Sequence, residues 1–440
     1  MDQSSGISRR GFLRVGSLYP LGIGLAPFLQ FSRALGRPDA PPKGKAQACI
    51  LLWLEGGPSQ MDTWDPKGNS ALKRIATKVP GIQISELFPR IARQMDKLSI
   101  VRSVHTEENN HPQGTYNTLT AHRPNAAMKF PSIGSIICKE TGRRNELPQY
   151  ALVPQPQEVD FFSYADAYMG AFLGADYNPM IVPDPSQENF HIPDLRLPKS
   201  VTAETIEHRQ SFLKVVDREF REMEKLAEFE TTDALSRQAL GMLLSPNVAG
   251  AFDLAREPDR VRDAYGRDRV GQSVLLARRL VESGCRFVSA SGYRHGQWDT
   301  HGKNEETLRK DLAPLLDRTL SVLLADLEVR GLLETTVVLV MGEFGRTPTI
   351  NAAAGRDHWP DCWSLLLGGG GIAGGHVIGA SDKTGGYVAE RMVSIGDIYA
   401  TIYKAFGIDW TKTYMTPIGR PIYIANALGD KQGEPIKELI

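Results

Sequence analysis

Ala48-Cys49-Ile50-Leu51-Leu52-Trp53-Leu54 runs seven residues without a polar side chain and stops at Glu55-Gly56-Gly57. A short continuous apolar run closed by a glycine turn reads as a strand buried on both faces, the kind found in parallel sheets. Similar runs recur at Leu98–Val101, Tyr150–Val153, Phe287–Ala290, Thr336–Met341 and Ser364–Leu367. Helical patterns lie between them. In Leu308–Glu328, Leu312, Leu315, Leu316, Leu320, Leu323, Leu324 and Leu327 fall at 3–4 spacing and form one apolar stripe. Alternating strands and helices predict an α/β fold with a mostly parallel central sheet. Residues 200–284 lack a strand signal. Glu204–Glu230 is charged and helical in pattern, and the region is expected to be a helical insertion on the sheet domain.

The composition narrows the function classes. The 440 residues carry 51 basic and 51 acidic side chains, with 41% hydrophobic residues. That balance is not that of a disordered chain. It also leaves no basic excess to neutralise a nucleic acid backbone, so a nucleic acid partner is not expected. No Gly-X-Y period or sustained heptad marks a fibrous rod. Cys49, Cys138, Cys285 and Cys362 are far apart and make no Cys-x-x-Cys pair, which argues against zinc-thiolate and thioredoxin-like chemistry.

The N-terminus reads as an address. Ser8-Arg9-Arg10-Gly11-Phe12-Leu13 precedes a mild apolar stretch, and Ser32-Arg33-Ala34 offers a small-residue cut. This is the pattern of a twin-arginine export signal over residues 1–34, read by the twin-arginine translocation machinery. Pro20 and Pro27 break the stretch, which is too short and too interrupted for a spanning helix, and no stable membrane span is expected in the mature chain either. Residues 35–46 read as a Pro/Lys linker and 47–440 as one domain. Removing 1–34 leaves 47 basic and 50 acidic groups, a net of −3. The expected location is periplasmic or secreted.

In open α/β sheets, ligands bind beyond the carboxyl ends of the strands. Three histidines, His295, His301 and His358, fall just past strand ends or in the following loops, beside Asp299, Glu343 and Asp357. Asp299 and His301 are two apart, so on extended backbone they share a face and can reach one cation. His358 from another loop would complete a mixed nitrogen and oxygen site of the hydrolytic type. Glu343 reads as a further metal ligand or general acid/base, or as a structural partner of Arg346. Arg346 reads as a clamp for an anion. Ser59 lacks a Gly-x-Ser-x-Gly context, and Gly368–Gly371 lacks the Lys of a P-loop.

Six segments together resemble a bacterial family, domain of unknown function 1501. They are Leu54–Lys67 (LEGGPSQMDTWDPK), Asn110–Gly114 (NHPQG), Trp298–Gly302 (WDTHG), Gly342–Pro348 (GEFGRTP), Arg356–Trp359 (RDHW) and Gly396-Asp397-Ile398-Tyr399. The resemblance spans essentially all of the mature chain. It implies a branch of the alkaline phosphatase and sulfatase superfamily: a three-layer α/β/α sandwich with divalent metal (zinc, manganese or calcium) at the strand ends. It implies cleavage of sulfate or phosphate esters, including those of a sulfated polysaccharide. Asp299, His301 and His358 fall where that superfamily places metal ligands. Asp62 or Glu55 stands in for an aspartate after the first strand, and Glu343 for an aspartate whose usual histidine neighbour is here Phe344. His111 lands where a nucleophilic alcohol is usual, as ligand, base or nucleophile, with Thr115 and Thr118 as nearby substitutes. A second reading is a non-catalytic exported binding or assembly protein on the same scaffold. A third is an anion-binding protein without turnover.

Overall fold

The computed structural model describes residues 44–155, 165–192, 245–294 and 296–440. The export signal, the charged segment Glu204–Glu230 and His295 lie outside the described residues. Eight strands form the central sheet: β1 (Ala48–Trp53), β2 (Ser99–Val104), β3 (Tyr150–Val153), β4 (Met180–Ile181), β5 (Phe287–Ala290), β6 (Thr336–Met341), β7 (Trp363–Gly369) and β8 (Val377–Ile378). Their order across the sheet is β8-β2-β7-β6-β1-β5-β3-β4. All neighbouring pairs are parallel except those of β7, which runs antiparallel to β2 and β6. Each apolar run singled out in the sequence is a strand of this sheet.

Both faces are covered, so the strands carry no polar face. Along β1, Ile50 and Leu52 enter one core with helices Arg269–Glu282 and Ala313–Val329. Cys49, Leu51 and Trp53 enter a second core with Ile133–Thr141 and Ile395–Phe406. The strand's period of two thus divides one sequence between two cores, and the result is a three-layer sandwich. The leucine-rich helix begins with a π-helical turn at Leu308–Leu312 and becomes regular from Ala313. Leu312, Leu316, Leu320, Leu323, Leu324 and Leu327 are all buried on the sheet.

Of the helical insertion expected over 200–284, residues 200–244 lie outside the described residues. Its described part includes Arg269–Glu282, whose Val270, Val274, Leu275 and Leu276 pack in the first core. This helix is a layer of the sandwich. Arg278 is fully buried and pairs with Glu257, Glu282 and Asp326. Among the described residues, no helix is long and apolar enough to cross a membrane.

Candidate metal centre

Three loops at the carboxyl ends of β1, β5 and β6 meet over one point. The first is the glycine turn after β1. Gly56 has φ +114°, and a Cβ there would lie 2.3 Å from the Asp299 backbone nitrogen. A side chain at this position would push the Asp299 loop away, so glycine is what lets the two loops touch. The Gly56 N–H donates to both carboxylate oxygens of Glu343, at 2.9 and 3.2 Å.

Glu343 follows β6 and is fully buried. Its Oε1 accepts from His111 Nδ1 at 2.6 Å. His111 is the first residue of helix α1 (His111–Thr120), with Pro112 next, a residue that suits the first turn because its missing N–H has no partner there. Phe344 fills the space under the cluster, its ring 4.9 Å from that of His111 and 4.7 Å from that of His358.

Beyond Glu343, Gly345–Arg346 and His358–Trp359 form a small antiparallel pair with His358 opposite Arg346. Directly opposed residues share a face, and both side chains reach Asp299. His358 Nε2 lies 3.2 Å from Asp299 Oδ1, and the Arg346 guanidinium hydrogen-bonds the same oxygen. His301 Nε2 lies 3.1 Å from that oxygen and 2.9 Å from His358 Nε2. His111 Nε2 lies 3.4 Å from it. His111, Asp299 and His358 each offer a ligand atom within 4.8 Å of the others.

The hydrogen bonds on the far side of each imidazole set its tautomer. His358 Nδ1 is 2.7 Å from the Asn109 carbonyl oxygen, which can only accept. His301 Nδ1 is 2.7 Å from Asp357 Oδ1, and His111 Nδ1 faces Glu343. Each Nδ1 therefore carries a proton, and each ring turns its Nε2 toward Asp299. With Nε2 deprotonated, as ligation of a metal ion requires, each ring would offer that ion a lone pair. Three carboxylates (Asp299, Glu343, Asp357) surround one guanidinium here. Burial disfavours charge on His111, but its bonds to Asp299 and Glu343 outweigh this and raise its pKa. Burial likewise works against Asp299, and bonds from His111, His358 and Arg346 hold its carboxyl far below the usual range. The donor set of three imidazole nitrogens and one carboxylate oxygen fits zinc or manganese. Calcium prefers all-oxygen shells and fits it worst. The site opens on the His301 side, which is 45% exposed, and is dry at His111, which is 1% exposed.

Other residues singled out from the sequence stand elsewhere. Asp62 is not brought to the cluster. Its carboxylate is taken up by Ser59, Ser70, Asn304 and the buried Arg356. Glu343 faces His111 and Gly56, so it orients a ligand instead of presenting itself as one. Arg346 has no guanidinium edge left for an anion. It bonds the Gly56, Gly57 and Arg356 carbonyl oxygens as well as Asp299, and it is fully buried. Thr118 Oγ1 donates to the Glu343 carbonyl oxygen, and Thr115 is 1% exposed. Asp357 orients His301, with Asn351 bonded to the same Asp357 oxygen at 3.0 Å. The roles of the Asn109 carbonyl and of Asn351 had no sequence signal, because a backbone oxygen carries no residue identity and Asn351 sits in an unpatterned loop.

The fold and the cluster define an α/β sandwich with a candidate metal centre at its strand ends. The chain belongs to the family described as protein of unknown function DUF1501, whose model matches residues 46–440. Solved structures of the alkaline phosphatase and sulfatase superfamily are similar to it at low identity. A lipoteichoic acid synthase from Listeria monocytogenes is 11% identical, with a TM-score of 0.39, over 85% of this chain and 75% of that one. A sulfatase from Pseudoalteromonas sp. is 13% identical, with a TM-score of 0.40, over 88% and 71%. The C-terminal periplasmic domain of EcEptC from Escherichia coli, solved with zinc, is 10% identical, with a TM-score of 0.39, over 92% and 93%. No match is found among curated proteins.

Proposed function

We propose that this protein is an exported, metal-dependent hydrolase of anionic esters, either sulfate or phosphate esters. The observation that carries the reading is the convergence of His111 Nε2, His301 Nε2 and His358 Nε2 on Asp299 Oδ1, each ring locked from behind by an acceptor. These four residues would hold one divalent cation. When bound, the cation supplies Lewis acidity toward an ester oxyanion. Glu343 and Asp357 keep Nδ1 of His111 and His301 protonated and fix both rings. Arg346 holds the Asp299 carboxylate and binds the glycine turn to the loop beneath it. His111 acts in this reading as a ligand, because its Nε2 is aimed at the cluster. The twin-arginine pattern at Arg9-Arg10 supports delivery of a folded, metal-loaded protein by the twin-arginine machinery to the periplasm or the exterior.

One observation favours the second reading, a binding or assembly protein without turnover. Thr118, one of the two threonines near His111, gives its hydroxyl to the Glu343 carbonyl oxygen and not to the cluster. The test is turnover of an aryl sulfate and an aryl phosphate by protein reconstituted with zinc or manganese. Hydrolysis that is absent in His358→Ala supports the hydrolase. A loaded protein that turns over neither ester supports the binding protein.

A further inference from the structure

Of the three imidazoles in the cluster, His301 has the weakest hold. His111 is locked by the Glu343 carboxylate in the dry floor of the site, and His358 by the Asn109 carbonyl oxygen. His301 stands at the open edge, and its Nδ1 partner, Asp357, is itself 54% exposed. Water competes for both members of such a pair and screens their attraction. An exposed carboxylate alone is a poor restraint on a ring that must meet an ion to within about 0.5 Å.

Asn351 supplies a second restraint. Its side-chain nitrogen donates to the His301 carbonyl oxygen at 2.9 Å and to Asp357 Oδ1 at 3.0 Å, the same oxygen that faces His301 Nδ1. Its side-chain oxygen accepts from the Ala353 and Gly355 N–H groups at 2.9 and 3.0 Å. Both N–H bonds and both lone pairs of the amide are thus used, and turning it over would set donor against donor. The amide bridges the main chain of the ligand and the carboxylate behind its ring. The loop that carries Asn351 is fastened independently. The Lys303 and Asn304 N–H groups donate to the Ala353 and Ala354 carbonyl oxygens at 3.0 and 2.9 Å, and the Arg356 N–H donates to that of Thr300 at 3.0 Å. A Cβ on Gly355 would lie 2.0 Å from the His301 carbonyl carbon, so glycine there lets the loop lie against the ligand's backbone. The main chain holds the loop in place, and what the Asn351 donor adds is the position of His301.

We infer that Asn351 is a positioning residue of the metal centre: it acts through His301, fixing the ring and the main chain of that ligand, and supplies no ligand atom itself. The inference rests on the metal reading of the cluster and is tested without turnover. The probe is cobalt(II), a zinc substitute with visible absorption bands. It is titrated in competition with a chromogenic chelator into the wild type, Asn351→Ala, His301→Ala and the double variant. The expected result is a loss of about tenfold in cobalt affinity for Asn351→Ala against the wild type. In the His301→Ala background the same substitution changes affinity by less than about twofold, because the ligand it serves is gone. Asn351→Ser keeps a hydroxyl that can accept from the loop N–H groups. It is expected to lose cobalt affinity as the alanine variant does, and it serves if that variant does not fold. If His301→Ala holds too little cobalt to titrate, the absorption bands of cobalt-loaded Asn351→Ala decide: bands moved from those of the wild type support the inference, and unmoved bands overturn it. An equal loss in both backgrounds, or no loss in the wild-type background, overturns the inference and leaves the metal reading standing. A wild type that binds no cobalt overturns both.

Discussion

Glu343 Oε1 and His111 Nδ1 stand 2.6 Å apart in the dry floor of the site, although 232 residues separate them in the chain. The carboxylate also accepts from the Gly56 N–H, so a single buried group ties β6, helix α1 and the glycine turn together. Its effect on a metal ion passes through the orientation and basicity of His111.

Glu343→Gln is therefore expected to keep the fold and weaken metal binding by about 10–100-fold, the usual cost of losing such an orienting partner. Competition with a chromogenic chelator measures it. Unchanged affinity would assign the glutamate to structure alone.

Arg346 is expected to act on stability. Arg346→Met removes the buried guanidinium from Asp299 and from four carbonyl oxygens, and breaking a buried pair costs about 3–5 kcal/mol. Urea denaturation of the metal-free protein reads this directly. A variant of native stability that lost only sulfate or phosphate affinity would restore the anion clamp read from the sequence.

Asp62→Ala separates structure from ligation in the opposite way. It leaves Arg356, 1% exposed, without its carboxylate. The expected outcome is a loss of about 3–5 kcal/mol with metal stoichiometry unchanged. Loss of metal at native stability would return Asp62 to the ligand set.

His122 sets a pH dependence away from the cluster. Burial lowers its pKa to about 4, against a weaker opposing pull from Asp430. The folded state thus binds its proton later than the unfolded state, whose histidine titrates near 6.5. Stability from this group is full above about 6.5, falls as pH drops toward 4, and levels off below. The total is about 3 kcal/mol. His122→Gln should flatten the difference in unfolding free energy between pH 7 and pH 4 by about that amount. An equal pH dependence in both proteins would contradict the assignment.

The sheet was legible because its strands are buried on both faces and read as unbroken apolar runs. The two-residue edge strands Met180–Ile181 and Val377–Ile378 are too short to make a pattern. Arg269–Glu282 was grouped with the insertion because 200–284 has no strand signal, yet it packs in the first core, with Arg278 paired to three carboxylates. Asp299, His301 and His358 could be grouped because strand ends gather their loops at one edge of the sheet. The assignments of Glu343, Arg346 and Asp62 could not be read, since each depends on a partner brought from a distant segment: His111, the glycine turn and Arg356. Residue type told that these side chains carry charge; only the fold tells which charge each one meets.

The most direct test is the metal content of the folded protein after dialysis with zinc or manganese, measured by mass spectrometry beside a His111→Ala/His358→Ala variant. The account predicts about one divalent ion per wild-type chain and none in the variant, since a three-histidine, one-aspartate set cannot survive with half its donors. A wild type that retains no ion, or a variant that retains the same ion, would contradict it.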